Sequence, residues 1–222
     1  MRVLVLDIGG SHIKAYVPGR RDRLEIESGR HMTPEVMIRA LSEKIAGKTY
    51  EAVTLGYPGR VDNNRIEQDA PNLGKGWVGF DFRKAFRKRV KILNDAALQA
   101  LGSYRGGRML FLGLGTALGS ALILDGMLHA LELGMLPYRQ GRPYFEYLGK
   151  AGLQRLGHRC WARHVLTAVR QFRTAFQVDY LVLGGGQTQL IHRMPQGVIR
   201  GDNSKALLGG RRAWSATFDR VA

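Results

Sequence analysis

The sequence predicts an α/β protein made of two related lobes with a cleft between them. Three observations carry that expectation. A pattern of apolar run, Gly/Ser-rich turn and returning apolar run occurs twice, at residues 4–17 and 110–124, and internal self-similarity points to duplicated architecture. Each copy is followed by more short β-branched runs and then by stretches of helical periodicity, the mixture of an α/β fold. The 222 residues, 45% of them apolar and 29 of them glycine, suffice for one large turn-rich domain or two small lobes with cores of their own. Residues 1–106 are expected to form the first lobe and residues 107–222 the second.

Taken in order, residues 2–7 read as a buried strand ending on the carboxylate of Asp7. Gly9-Gly10-Ser11 turns the chain and residues 12–17 return it. A third strand is expected near residues 23–28. Thr33 then caps a helix that has Pro34 and Glu35 in its first turn and ends at Gly47. Its inward face is Val36, Met37, Ala40, Leu41 and Ile45. Residues 52–55 form the next strand and run into Gly56-Tyr57-Pro58-Gly59-Arg60, a loop at a strand end where open α/β sheets bind ligands. Asn63-Asn64 suits a hairpin turn. A helix over residues 80–89 would bury Phe82 and Phe86 and leave Arg83, Lys84, Arg87 and Lys88 in solvent. Residues 90–93 form a strand and residues 96–101 a helix. The second Gly-rich turn, residues 113–119, joins two apolar runs. Residues 141–157 and 160–176 read as helices, residues 179–183 as the last clear strand ending in Gly184-Gly185-Gly186, and residues 205–214 as a final helix after the Asp202-Asn203 turn.

Composition narrows the function. Lys plus Arg number 34 against 18 Asp plus Glu, a formal net charge of +16. Such a balance favours nucleic acid, an anionic membrane or a phosphate-rich substrate as partner. No helix-turn-helix, zinc finger or aromatic-interleaved RNA motif organises the cations, so nucleic acid is not the expected partner. One cysteine, Cys160, excludes an internal disulfide and any cysteine metal cluster. No apolar stretch is long enough to span a bilayer and the N-terminus lacks a secretory pattern, which predicts a cytoplasmic protein.

The chemistry concentrates at the turns. Glycines let a backbone approach a ligand, and exposed turn N–H groups hold phosphate oxygens. Two such turns facing one another would grip a polyphosphate from both sides. Asp7 at a strand end could hold Mg²⁺, directly or through water, or simply cap the turn. Asp95 stands at a strand-to-helix junction, where it reads equally as an N-cap or as a carboxylate aimed into the cleft to take a proton from a substrate hydroxyl. Glu132 is a lone acid in an apolar stretch and needs a partner or a ligand.

The order Asp7-Ile8-Gly9-Gly10-Ser11, Gly56-Tyr57-Pro58-Gly59, Asn94-Asp95, residues 113–119 and Gly184-Gly185-Gly186 resembles the ROK sugar kinases, and within them the polyphosphate-glucokinase-like branch. The resemblance spans essentially the whole chain. It implies two ribonuclease-H-like lobes of the actin/hexokinase/Hsp70 type and phosphoryl transfer from ATP or polyphosphate to a hexose hydroxyl. It further implies that Asp7, Gly9, Gly10, Ser11 and Lys14 line the first phosphate loop, with Asp7 near Mg²⁺, and that Gly115, Thr116 and Gly119 line the second. Gly184, Gly185 and Gly186 would meet adenosine. Asn72, Asn94, Asp95 and Glu132 would hold the hexose, with Asp95 as general base. The first lobe would thus carry the sugar site and the second the nucleotide site.

Three departures stand out. Met135 occupies the place of the His in the usual Glu-x-Gly-His, Ala117 replaces a loop glycine, and the cysteine-rich zinc motif of many ROK proteins is missing, so no zinc is expected. The implied partners are a sugar and a phosphoryl donor, with a homodimer compatible and no membrane. Two other classes stay open on the residues: a kinase-fold protein that binds sugar or nucleotide without turnover, suggested by Met135 and Ala117, and a basic polyanion-binding module, suggested by the charge.

Overall fold

The computed structural model describes residues 1–202, 204–215 and 218; Asn203, expected in the turn before the last helix, lies outside the described residues. The first half runs β1 (Val3–Ile8), β2 (His12–Tyr16), β3 (Leu24–Glu27), α1 (Pro34–Lys44), β4 (Ala52–Tyr57), β5 (Val61–Asp62), β6 (Arg65–Ile66), α2 (Phe82–Phe86), β7 (Arg89–Asn94) and α3 (Asp95–Ser103). The second half runs β8 (Arg108–Leu114), β9 (Leu118–Leu124), β10 (Met127–Leu131), β11 (Pro137–Arg139), β12 (Arg142–Pro143), α4 (Tyr144–Leu148), α5 (Lys150–Phe176), β13 (Tyr180–Gly184), β14 (Val198–Arg200) and α6 (Lys205–Arg212).

Two five-stranded sheets result, ordered β3-β2-β1-β4-β7 and β10-β9-β8-β13-β14. In each, an antiparallel three-strand meander is extended by two strands parallel to its first. The two sheets therefore share one connection pattern, and the repeated hairpins are their founding pieces. The inner strand β4 buries all six of its residues, as a parallel strand covered on both faces must.

Local chemistry explains most boundaries. Thr33 caps α1 by accepting from the Val36 N–H at 3.4 Å, and the helix buries Met37 and Leu41 with Ile45 behind them. Asn63 and Asn64 both take positive φ, 45° and 64°, which a two-residue hairpin turn between β5 and β6 requires.

Several expected elements differ. The helix over residues 80–89 shrinks to Phe82–Phe86, because Asp81 caps it from within and Arg87 turns left-handed at φ 52°. The helix expected from residue 141 is preceded by a small hairpin, β11 with β12, that turns on Gln140 and Gly141 at φ 51° and 70°. Helix α5 runs through residues 158 and 159, but Gly157, at φ 71° and ψ 161°, breaks it. Strand β14 was not expected; three residues after Pro195 and Gly197 are too few to show a period. The last helix ends at Arg212 rather than at residue 214.

Each lobe has a core, and a third cluster joins them. Helix α3 sits between the sheets, with Leu98 and Leu101 packed among Val3, Val5, Phe111 and Ile123. The chain then crosses back: α6 lies against α3 and the first sheet. The buried Thr54 hydroxyl donates to the Gly210 carbonyl at 2.8 Å and accepts from the Trp214 indole N–H at 2.8 Å. Arg212 donates to the carbonyls of Leu101 and Tyr104 at 2.8 and 2.9 Å. A Cβ on Gly102 would overlap the Lys205 carbonyl, and one on Gly209 the Leu98 carbonyl. The two helices cross backbone to backbone. Among the described residues no helix is long and apolar enough to cross a membrane.

Candidate active site

The site grows from the junction of β7 and α3. Asn94 closes the helix: its Oδ1 accepts from Ala96 and Ala97 N–H at 2.8 and 3.4 Å, and its Nδ2 donates to the Gly59 carbonyl at 3.1 Å. Such a cap stabilises by about 1 kcal/mol. Asn94 thus holds the N-cap position itself and fixes the ligand loop at Gly59, with one amide hydrogen left for a ligand. Asp95 is the first helical residue, and its Oδ1 accepts from the Ala96 N–H at 2.7 Å. Burial, then the charge of Asp7, then that of Glu132 push the Asp95 carboxyl up to about 7, outweighing the Ala96 N–H that pulls it down. These causes bring Asp7, Asp95 and Glu132 into one electrostatic cluster.

Asp7 ends β1 opposite Lys14 of β2 and Gly56 of β4. Burial holds its carboxyl above the usual range, and the Lys14 charge offsets part of that. The turn beyond it is braced by Gly9 N–H to the His12 carbonyl at 3.0 Å and by the Ser28 hydroxyl to the Gly9 carbonyl at 2.5 Å. Ser11 is exposed at its tip. A Cβ on Gly10 would stand 2.9 Å from the Cβ of Asn72, so Asn72 lies against the first turn.

The second turn is tighter than the residue 113–119 span suggests. Gly113 and Gly119 pair within β8 and β9, leaving Gly115-Thr116-Ala117 as the tip. The Gly115 N–H donates to the Ala117 carbonyl at 3.2 Å, and the Lys150 N–H at the start of α5 donates to the Gly115 carbonyl at 3.0 Å. Thr116 and Ala117 are exposed, and nothing lies within 4 Å of a Cβ built on Gly115. Ala117 is not among the positive-φ residues, so its Cβ brings no backbone strain. A Cβ on Gly119 would come 2.9 Å from the Cβ of Ala96; the second hairpin rests on the residue that follows Asp95. Gly184, Gly185 and Gly186 end β13 on the same sheet, where Gly185, at φ 87°, packs on the Leu114 backbone and Gly184 on the Phe111 ring.

Glu132 is held by its neighbours. The buried Ser120 hydroxyl donates to the Leu131 carbonyl at 2.8 Å and accepts from the Leu133 N–H at 3.0 Å. Partial burial raises the Glu132 carboxyl and the Arg60 guanidinium lowers it again. Met135 is 65% exposed on the following turn. Three contributors escaped the sequence reading. Arg60 stands in the strand-end loop that reading had marked, Ser120 follows Gly119, and Tyr16 shares a strand face with Lys14. The Tyr16 hydroxyl is buried, and its proton is held more tightly by burial and by the Asp7 charge, against the opposing pull of Arg23. Among the described residues no group of three or more His, Cys, Asp or Glu could hold a metal.

The fold is two-lobed, each lobe built on a five-stranded sheet of the same connection pattern. No family model matches the chain. The structure is similar to the inorganic polyphosphate/ATP-glucomannokinase of Arthrobacter sp. strain KM, with a TM-score of 0.78 and 21% identity over 94% of this chain and 96% of that one. It is also similar to a ROK family glucokinase from Streptomyces griseus solved with glucose and AMPPNP, with a TM-score of 0.75 and 19% identity over 96% of this chain and 100% of that one. In sequence it is 25% identical to the polyphosphate glucokinase of Mycobacterium leprae, over 95% of this chain and 74% of the relative, and 26% identical to that of Mycobacterium tuberculosis strain H37Rv, over 82% and 76%. The chain shares the fold of these kinases.

Proposed function

We propose that the protein is a hexose kinase that transfers a phosphoryl group from ATP or polyphosphate, glucokinase-like, with Asp95 as general base. One observation carries the assignment: the Asp95 carboxyl, beside a turn that abuts Ala96, is tuned to about 7 by burial and by two neighbouring acids. A base poised there is ionised in a substantial fraction near neutral pH and basic enough to take a hydroxyl proton.

In the reaction the sugar hydroxyl oxygen attacks the terminal phosphorus of the donor. The bond from that phosphorus to the bridging oxygen breaks, and ADP or a shortened polyphosphate leaves. The hydroxyl proton passes to Asp95. Asn72, Glu132 and the second amide hydrogen of Asn94 orient the sugar, with the Arg60 charge partly offsetting the burial of Glu132. The N–H groups of Gly10 and Ser11 on one side and of Thr116 on the other receive phosphate oxygens, while Gly9, Gly115 and Gly119 shape the two turns and line them with bare backbone. Lys14 adds a positive charge across from Asp7. Gly184, Gly185 and Gly186 offer bare backbone for an adenosine.

The acids themselves support a cation. Asp7 and Asp95 each raise the cost of ionising in a buried place, which a bound divalent ion would relieve. Asp7 would hold Mg²⁺, through water or directly, since Mg²⁺ takes few carboxylates. Bound there it would neutralise charge on the donor phosphates.

The test is a donor-by-sugar matrix, ATP and polyphosphate against a hexose panel, with Asp95→Asn in parallel. Turnover with at least one hexose and its loss in Asp95→Asn is the expected result. Binding of a sugar without turnover would favour the non-catalytic alternative.

A further inference from the structure

A second concavity runs along the free edge of β7, away from the glycine turns. Its volume is about 940 Å³, and Arg83, Arg87, Lys88, Arg89, Lys91 and Trp214 line it. Among the described residues its one lining carboxylate, Glu51, is engaged by the Arg2 N–H at 2.6 Å. The clustering has a local cause. Helix α2 is only five residues long and Arg87 reverses the chain at φ 52°, so the helix's basic side and the start of β7 share one trough while Phe82 and Phe86 face the core. Arg83, Arg87, Lys88 and Arg89 are exposed. Four exposed cations and a fifth beside them, with one engaged acid, make a field that draws an anion.

Two features decide which anion. The β7 edge is closed to an added strand, because Asn64 donates from Nδ2 to the Val90 carbonyl at 3.2 Å and accepts from the Ile92 N–H at 2.6 Å. Among the described residues the groove's one aromatic is already engaged: Arg89 and Lys91 lie 5.2 and 5.0 Å from the Trp214 ring centroid, and its N–H is given to Thr54. No stacking platform for bases remains there, whereas proteins that hold single-stranded nucleic acid stack its bases on aromatics. Among the described residues the cations share the lining with the apolar Val90, Ile92 and Leu93, and the charge is what selects an anion. It shares Asn63, Asn64, Ile92 and Leu93 with a hollow that reaches Asn94 and Glu132, so it ends beside the candidate active site.

We propose that the β7-edge groove binds inorganic polyphosphate along its chain, apart from the glycine turns. Its kinetic consequence rests on the proposed donor reading; the binding itself does not.

The test uses the full chain with Arg83→Gln, Arg87→Gln and Lys88→Gln combined, three exposed positions outside the proposed catalytic set. Binding of fluorescent long-chain polyphosphate is followed across a salt series, and KM is measured for long-chain polyphosphate, tripolyphosphate and ATP. Affinity for the long chain should fall about tenfold or more, and the log–log salt slope should become shallower by roughly one for each cation removed. KM for long-chain polyphosphate should rise while kcat and the KM for ATP hold. Unchanged affinity and slope would overturn the proposal. Tighter binding of single-stranded DNA than of polyphosphate, lost in the same variant, would also overturn it. If no hexose is phosphorylated with any donor, the kinase reading fails while the binding series still decides the groove. Should the triple variant not fold, protection of Lys88 from acetylation by polyphosphate in the unaltered chain, read by mass spectrometry, gives the answer.

Discussion

The two hairpins that found the two sheets share a topology and differ in chemistry. In the first, Asp7 and Lys14 face each other across the strands beside the turn. In the second, the corresponding pairs are Leu112 with Ser120 and Gly113 with Gly119. One hairpin presents charge, the other bare backbone. The geometry occurs twice, and the charged pair stands only in the first hairpin, the side on which the proposed reaction would need a cation and a proton acceptor. The neutral side contributes N–H groups and a close seat for Ala96.

Removing the charge between the lobes should have the largest effect. Asp95→Asn is expected to lower kcat by about 10²–10⁴-fold, the usual share of general-base catalysis. It should also stabilise the fold above neutral pH. The folded carboxyl is raised to about 7 from 3.8, so its contribution to stability is full below about pH 4 and is lost as pH rises through 7. Differential scanning calorimetry should therefore find Asp95→Asn melting several degrees higher than wild type at pH 8 and equal to it near pH 4.

Next comes the seat on the neutral side. Gly119→Val would drive side-chain atoms into Ala96, whose Cβ lies 2.9 Å from the site of the first of them. Overpacking of this kind costs about 1–3 kcal/mol, so both the melting temperature and kcat should drop. Gly115→Ala meets open space and should leave the melting temperature unchanged while raising the donor KM. Equal behaviour of the two variants would erase the distinction between a packing glycine and a ligand-facing one.

The charged side can be probed by pH. The acidic limb of the kcat/KM profile should fall about tenfold per unit below pH 7 as Asp95 takes up its proton. Asp7→Asn removes one of the charges that raise Asp95, so the limb should move to lower pH, alongside weaker Mg²⁺ dependence. The smallest effect is expected from Met135→His, at an exposed position on the rim: a change of sugar preference, read as relative kcat/KM across hexoses, without a change in stability.

Much of this was legible in the sequence because it is written locally. Repeated strand–turn–strand patterns, the Thr33 cap and the Asn63-Asn64 turn all depend on a few adjacent residues. The α2 boundary was not, since Arg87 reads as a good helix former and its left-handed backbone is set by the return into β7. Whether Asp95 itself caps α3 could not be read locally either: Asn94 occupies the cap, and Asp7 and Glu132, 88 and 37 positions away, act on the same carboxyl, which supports the proposed base. Ser120 and Tyr16 escaped for the same reason: each acts through partners that only the sheets bring near.

The backbone-to-backbone crossing of α3 and α6 has a consequence for biogenesis. Helix α3 carries the proposed base, yet its packing partner is the last helix described, and Thr54 in the first sheet waits for Gly210 and Trp214. On a ribosome, the amino-terminal half would emerge with Val5 and Leu98 uncovered until nearly the whole chain had been made. Such a nascent chain is a natural client for holding chaperones, and truncation ahead of Lys205 should release a product that aggregates rather than a half-enzyme that folds.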